Sequence, residues 1–155
     1  MAANSRAVAL VLAMGIATPM EGLRQWAYRD PGPAIWTICY GHTKDVKQGD
    51  YKTEEQCKEL LMKEMGDAIN AVDKCRPNLP PPVLAAFADA AYNLGEHIAC
   101  DSSKSTAARM LAAKDYKGAC NQLPRWNMAS VAGVKVELPG LTKRREMERE
   151  LCLSY

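Results

Sequence analysis

The sequence has no Cys-x-x-Cys pair, no internal repeat and no low-complexity tract. The missing Cys-x-x-Cys argues against a zinc ribbon or a thioredoxin-like redox centre. Charge of one sign is also lacking: 20 Lys and Arg stand against 18 Asp and Glu, a net +2 that is too small to imply a nucleic-acid partner. The one basic-looking stretch, KRREMER from Lys143, interleaves glutamates, whereas a phosphate-binding face is basic on one side. Long apolar runs are absent too. The best, Ala7 to Ala17, is 11 residues, and a membrane-spanning helix takes about 20.

What is present has the balance of a globular chain, 48% hydrophobic and 25% charged, and its length suits one domain or two small lobes sharing a linker. Cysteine is plentiful: Cys39, Cys57, Cys75, Cys100, Cys120 and Cys152. An even, dispersed set reads as up to three disulfides formed in an oxidising compartment; the other reading is six buried thiols. Six cysteines allow fifteen pairings, among which the residues do not choose.

The Ala7–Ala17 run follows Arg6 and precedes Thr18-Pro19, the layout of a secretory signal. A small-x-small site stands at Gly15-x-Ala17, but cleavage there would leave only three residues before Glu21 and remove the helix that carries it. The segment is therefore expected to stay on the chain, as a transient membrane anchor through residues 6–19, a buried first helix, or both in turn. Residues 1–19 are read as this segment, and 20–155 as one domain: a sheet-bearing part 20–52, a linking helix 53–74 and a helical part 75–155.

The chain is organised around Glu21–Thr43. Glu21 and Asp30 would point to opposite sides of one unbroken helix. Asp30-Pro31-Gly32-Pro33 makes such a helix untenable. The helix is expected to end between Arg24 and Arg29, where the chain doubles back and lets two carboxyls face each other. Glycoside hydrolysis uses such a pair, one protonating the leaving oxygen and the other activating water or attacking carbon. Ala34–Tyr40 is rich in β-branched and aromatic residues and is expected to form a small antiparallel sheet with the Thr43–Tyr51 stretch. Thr53-Glu54-Glu55-Gln56 is a capping box, and apolar residues at helical spacing carry its helix to about Asp73. Further helices are expected at 82–94, with Gly95 as stop, at 106–113, after Asp115, and from Gly140. Residues 128–139 read as a loop or a poor hairpin. Trp26, Trp36 and Trp126 read as core, His97 as an exposed loop residue, and His42 as a structural tie at the end of the sheet.

Glu21-Gly22-Leu23-Arg24, Tyr28-x-Asp30, Trp36-Thr37-Ile38 and Gly41-His42-Thr43 together resemble the catalytic segment of phage lysozymes of glycoside hydrolase family 24, of the lambdoid endolysin type. Eight residues separate Glu21 from Asp30, as in that family; six separate Asp30 from Thr37, one more than the family has. The resemblance continues through Ala91-Tyr92-Asn93-Leu94-Gly95, Ser105-Thr106-x-x-Arg109, Arg125-Trp126 and Pro139-Gly140-Leu141-x-x-Arg144-Arg145. It departs at 128–137, where the family has a shorter loop.

The resemblance implies an α+β lysozyme-like fold, mainly helical, with a small antiparallel sheet lobe joined by a long helix to a helical lobe. It implies a monomeric endolysin that cleaves the β-1,4 bond between N-acetylmuramic acid and N-acetylglucosamine in peptidoglycan, without cofactor or metal, after export to the periplasm. The rival is an inactive wall-binding protein of the same fold. The implied catalytic set is Glu21 as acid, Asp30 as base or cation stabiliser, and Thr37 holding the attacking water. Thr43, Tyr92, Asn93 and Thr106 are the implied substrate contacts. Arg144 and Arg145 read as surface or inter-helix pairs, one of which the resemblance brings toward Glu21. The resemblance also pairs Cys120 with Cys152. Cys75 and Cys100, which flank the helix ending at Gly95, are expected to pair, leaving Cys39 with Cys57.

Overall fold

The computed structural model describes residues 2–29 and 34–155. Helix α1, Ala2–Glu21, leads into strand β1, Arg24–Arg29, and strand β2, Trp36–Cys39. The long helix α2, Glu54–Cys75, then carries the chain into α3 Pro81–Leu94, α4 His97–Cys100, α5 Thr106–Ala112 and α6 Tyr116–Gln122. A hairpin of β3, Met128–Val131, and β4, Val134–Glu137, precedes the last helix, α7 Pro139–Cys152. The chain is mainly helical with a small antiparallel sheet lobe, the α+β architecture expected above.

The core is built around α3, which is buried on almost every side: Val83 through Ala91 are all inaccessible or nearly so. Its run of alanines lets neighbouring helices approach closely, and α1, α2 and α7 all pack on it. Helix α1 contributes Ala9, Ala13, Ile16 and Ala17, one face at helical spacing, while Val8 and Val11 face outward. Helix α2 opens with the expected box: Thr53 Oγ1 accepts from Gln56 N, and Gln56 Oε1 accepts from Thr53 N. It buries Cys57, Leu61, Met65, Ile69 and Val72 along one stripe.

Three expectations change. Helix α1 stops at Glu21, earlier than the sequence suggested, because Gly22 turns into the left-handed region at φ +70°. Residues 24–29 are consequently a strand, and β2 pairs with them, Tyr28 opposite Thr37, not with Thr43–Tyr51. The later stretch meets the sheet at the bridge Trp26–Tyr51, and His42, just before it, bridges Ile38. Third, Trp26 is 64% exposed, set 4.9 Å from the ring of Tyr51 and not in the core. The helix of which the Ala7–Ala17 run is part has 20 residues, long and apolar enough to cross a membrane by length and composition.

Three disulfides join Cys39 to Cys57, Cys75 to Cys100 and Cys120 to Cys152, the pairs expected above. They tie β2 to the start of α2, the end of α2 to α4, and α6 to α7. The closed loops span 18, 25 and 32 residues, and loops of that size stabilise by about 3–4 kcal/mol each in the chain-entropy account.

Candidate active site

The end of α1 places Glu21 where three elements meet. Arg144 of α7 reaches it from one side, donating from Nη1 to Glu21 Oε1 at 2.5 Å. The other edge of the same guanidinium is held by Asp89 of α3, with Nε to Oδ2 at 2.9 Å and Nη2 to Oδ1 at 2.8 Å. Gly41 closes the remaining side. A Cβ on Gly41 would lie 3.0 Å from Glu21 Oε2, and the residue sits at φ +86°. Glycine at 41 thus answers two needs, a left-handed turn after β2 and room for a carboxylate.

Arg144 and Arg145, read from sequence as surface or inter-helix pairs, are both buried. Arg144 has Glu21 and Asp89; Arg145 makes a bidentate pair with Glu148 at 2.6 Å on each arm. Burial works against the charge on Arg144, but the hydrogen bonds and charge of Asp89, then those of Glu21, outweigh it and hold the guanidinium above its ordinary range. Burial, followed by the adjacent Asp89, pushes Glu148 well above the usual carboxylate range against the opposing pull of Arg145. The cluster holds three carboxyls, Glu21, Asp89 and Glu148, against two guanidiniums. One proton is therefore favoured somewhere within it, because an unbalanced charge is expensive to bury.

Asp89 and Glu148 had no role in the sequence reading. The signal for Asp89 was present: it is the one charge in the helix PPVLAAFADAAYNL. A lone carboxylate in such a helix is expected to have a buried partner.

Thr37 is 5% exposed, and its hydroxyl donates to the carbonyl of Ile35 at 3.1 Å, which leaves its lone pairs for a second partner. Asp30 lies outside the described residues. His42 is tied as a structural residue would be: its backbone exchanges two hydrogen bonds of 2.9 Å with Ile38, and Nδ1 lies 2.6 Å from Glu64 Oε1 on α2.

The four residues expected to meet substrate do not share one cavity. Thr43 is exposed and lines a cavity of about 700 Å³ beside α2, with Lys63, Glu64 and Asp67. The phenol of Tyr92 donates to the Tyr40 carbonyl at 3.2 Å. Burial, then the charges of Glu21 and Glu64, push that phenol far up, so it stays a hydrogen-bond donor at any working pH. The neighbouring Asn93 keeps a buried Oδ1 with no partner among the described residues. Thr106 lines a second cavity, of about 510 Å³. His97 is neither looped nor exposed; it begins α4 and meets Trp126 edge to face at 5.5 Å, on the wall of that same cavity.

Residues 18–148 match the model of the family described as phage lysozyme. The chain is similar to the SAR-endolysin of Bacteriophage PS34, 38% identical over 136 residues that cover 86% of this chain and 77% of the relative. Among solved structures it is similar to the endolysin of Escherichia coli O157:H7 phage FAHEc1, with a TM-score of 0.80 and 30% identity over 92% of this chain and 90% of that one. It is also similar to the active form of the P1 phage endolysin Lyz, with a TM-score of 0.78 and 25% identity over 92% of this chain and 83% of that one. A buried arginine on the acid that ends α1, a small sheet beside it, a long helix leading away and a family match over most of the length converge: the chain belongs to the phage lysozyme family, whose endolysins act on peptidoglycan.

Proposed function

We propose that this chain is a peptidoglycan muramidase, hydrolysing the β-1,4 bond between N-acetylmuramic acid and N-acetylglucosamine as a monomeric endolysin. Glu21 is the general acid that protonates the departing glycosidic oxygen. Asp30 is the base, or the carboxylate that stabilises the oxocarbenium ion, and Thr37 orients the attacking water. Tyr92, Asn93, Thr43 and Thr106 meet the glycan on either side of the cut.

The observation that carries this reading is the setting of Glu21. One carboxyl oxygen is anchored by a buried arginine whose charge is already shared with Asp89. The other lies against Gly41, a residue without a side chain. Glu21 is thereby fixed in place and left 20% exposed. An acid poised to hand a proton to substrate needs this combination of restraint and access.

Glu21→Gln keeps the shape and removes the proton. Lysis of purified peptidoglycan, followed as loss of turbidity, should fall at least about 10²–10⁴-fold while the folded protein still sediments with the wall. Lysis near the wild-type rate would end the proposal; wall binding without lysis by the wild type itself would leave the inactive binding protein as the reading.

The PS34 relative is a SAR-endolysin by name, and α1 is apolar and ends in Glu21. We accordingly place the working enzyme in the periplasm, exported with α1 uncleaved after a transient passage through the membrane. Mass spectrometry of periplasmic protein should find the N-terminal segment intact; a mature chain beginning at Thr18 would refute uncleaved export.

A further inference from the structure

Trp26 and Tyr51 form an aromatic pair on the surface of the sheet lobe. They are 64% and 50% exposed, and their ring centroids stand 4.9 Å apart at 51°. Single apolar side chains scattered over a surface need no explanation, but two large rings set against each other outside the core do. The pair is held rigidly. Trp26 and Tyr51 face each other in a backbone bridge, with Ala27 N donating to the Asp50 carbonyl at 2.9 Å and Lys52 N to the Gln25 carbonyl at 3.0 Å. Gln25 Nε2 donates to the Tyr51 hydroxyl at 3.1 Å, a bond that leaves the hydroxyl proton to be given elsewhere.

The size of the pair limits what it can hold. An aromatic side chain offers about 150–250 Å², so two rings exposed to this extent present on the order of 250 Å² together. That is well below the roughly 800 Å² that each partner contributes to a stable protein interface. A bilayer surface is recognised by basic clusters, whereas the rim beside Tyr51 mixes Lys44 and Lys52 with Asp45 and Asp50. A pyranose ring fits. Its C–H face lies flat on an aromatic ring, and the hydroxyl and acetamido groups at its edge take the hydrogen bonds that the Tyr51 hydroxyl and the Gln25 amide can make.

The place of the pair suits a long glycan. Trp26 follows Glu21 by five residues, a reach of at most about 18 Å along the chain. Tyr51 lines the cavity of about 700 Å³ that Thr43 also lines. We infer that Trp26 and Tyr51 are a sugar-binding platform separate from Glu21, which grips the glycan strand of peptidoglycan through the faces of its N-acetylated sugar rings. The platform holds an insoluble polymer on the enzyme between cuts and takes no part in bond cleavage. Two rings already fixed by the backbone lose little freedom on binding, so a small contact suffices. This inference rests on the muramidase reading for the identity of the polymer.

The test reads binding, so it does not depend on whether Glu21 cuts. A soluble N-acetylglucosamine tetramer titrated into the whole chain should shift the indole N–H resonance of Trp26, identified by its loss in Trp26→Phe. Trp26→Ala and Tyr51→Ala, each altered at an exposed ring, should bind purified sacculi about tenfold more weakly in sedimentation. Trp26→Phe, which keeps a ring, should retain most of the binding. All three should cut short soluble glycan fragments at the wild-type rate. No shift at Trp26, or sacculus binding unchanged in both alanine variants, would overturn the platform. So would a Trp26 shift produced by anionic phospholipid vesicles and not by the sugar. Equal losses on sacculi and on short fragments would put the rings in the catalytic cleft and contradict the inference. The resonance titration needs no alanine variant and decides even if one of them fails to fold. If the sugar binds as described and the wild type releases no glycan fragments, the platform stands and the hydrolytic reading falls.

Discussion

Arg144 holds Glu21 and Asp89 at once, donating to the first at 2.5 Å and to the second at 2.8 and 2.9 Å. One guanidinium thus joins the end of α1 to the middle of α3, and it comes from the opposite end of the chain, 123 residues after Glu21. The consequence is mechanical: Asp89 fixes the guanidinium on α3, and the guanidinium in turn positions Glu21 at the end of α1.

Asp89→Asn tests that positioning. It keeps the shape of the pair and removes its negative charge, so the guanidinium that carries Glu21 is held less firmly. Lytic kcat should fall about tenfold or more while KM changes little, because the reacting group loses its fixed position. A merely structural role for Asp89 would lower stability and leave kcat where it is. Breaking a buried ion pair costs about 3–5 kcal/mol, so the rates should be taken well below the melting temperature of the variant.

Glu148 gives a pH dependence of stability whose sign is set by its environment. Burial and Asp89 raise it in the folded chain. The folded state therefore holds a proton that the unfolded state releases once the pH passes the ordinary carboxylate value of 4.5. Stability is lost as the pH climbs from there toward the raised value. Glu148→Gln cannot lose a proton, so wild-type stability minus that of the variant should decline across this window in urea titrations. A difference that grows with pH would contradict the reading of the cluster.

Gly41→Ala should harm the site twice. The methyl group would meet Glu21 Oε2 at 3.0 Å, and alanine is strained at φ +86°. The backbone penalty alone is about 1–2 kcal/mol. Lytic activity should fall further than this loss of stability explains, because the carboxylate anchored by Arg144 has no room to yield. Full activity in a destabilised Gly41→Ala would show that Glu21 has slack.

The three disulfides should differ in what they protect. Cys39 sits at φ +63°, a conformation unusual for a side chain, and leads directly into Tyr40 and Gly41 beside Glu21. Its bond to Cys57 fixes this turn on α2. Replacing Cys39 and Cys57 by serine should cost activity as well as stability. Replacing Cys120 and Cys152, which join α6 to α7, should cost a similar roughly 3–4 kcal/mol with kcat nearly kept. With the bridges reduced the fold should be looser, and it should become rigid once they form. Equal activity loss in both double variants would remove the special role of the Cys39 bridge.

Much of this architecture is legible in local signals. The Thr53–Gln56 box, the Asp115 cap on α6, which accepts from Gly118 N, and the stop at Gly95 are contacts among near neighbours, and the residues announce them. The failures have a common cause in long-range contact. Residues 24–29 read as a helix end because their strand partner, Trp36–Cys39, is downstream in the chain, and Trp26 reads as core because aromatics usually are. The site shows the same division. Glu21 stands out from its motif. Asp89 and Glu148 matter only because α3 and α7 pack together, which no local pattern states, and charges on α7 that pair as i,i+3 or i,i+4 on paper are in fact buried against α3.

The central claim is the bond that is cut. Peptidoglycan digested to completion by the wild-type protein, reduced with borohydride and analysed by mass spectrometry, should give disaccharide peptides with muramitol at the reduced end and no new peptide or amide termini, and Glu21→Gln should give none of them. Fragments ending in glucosaminitol, or stems released from intact glycan, would contradict the account.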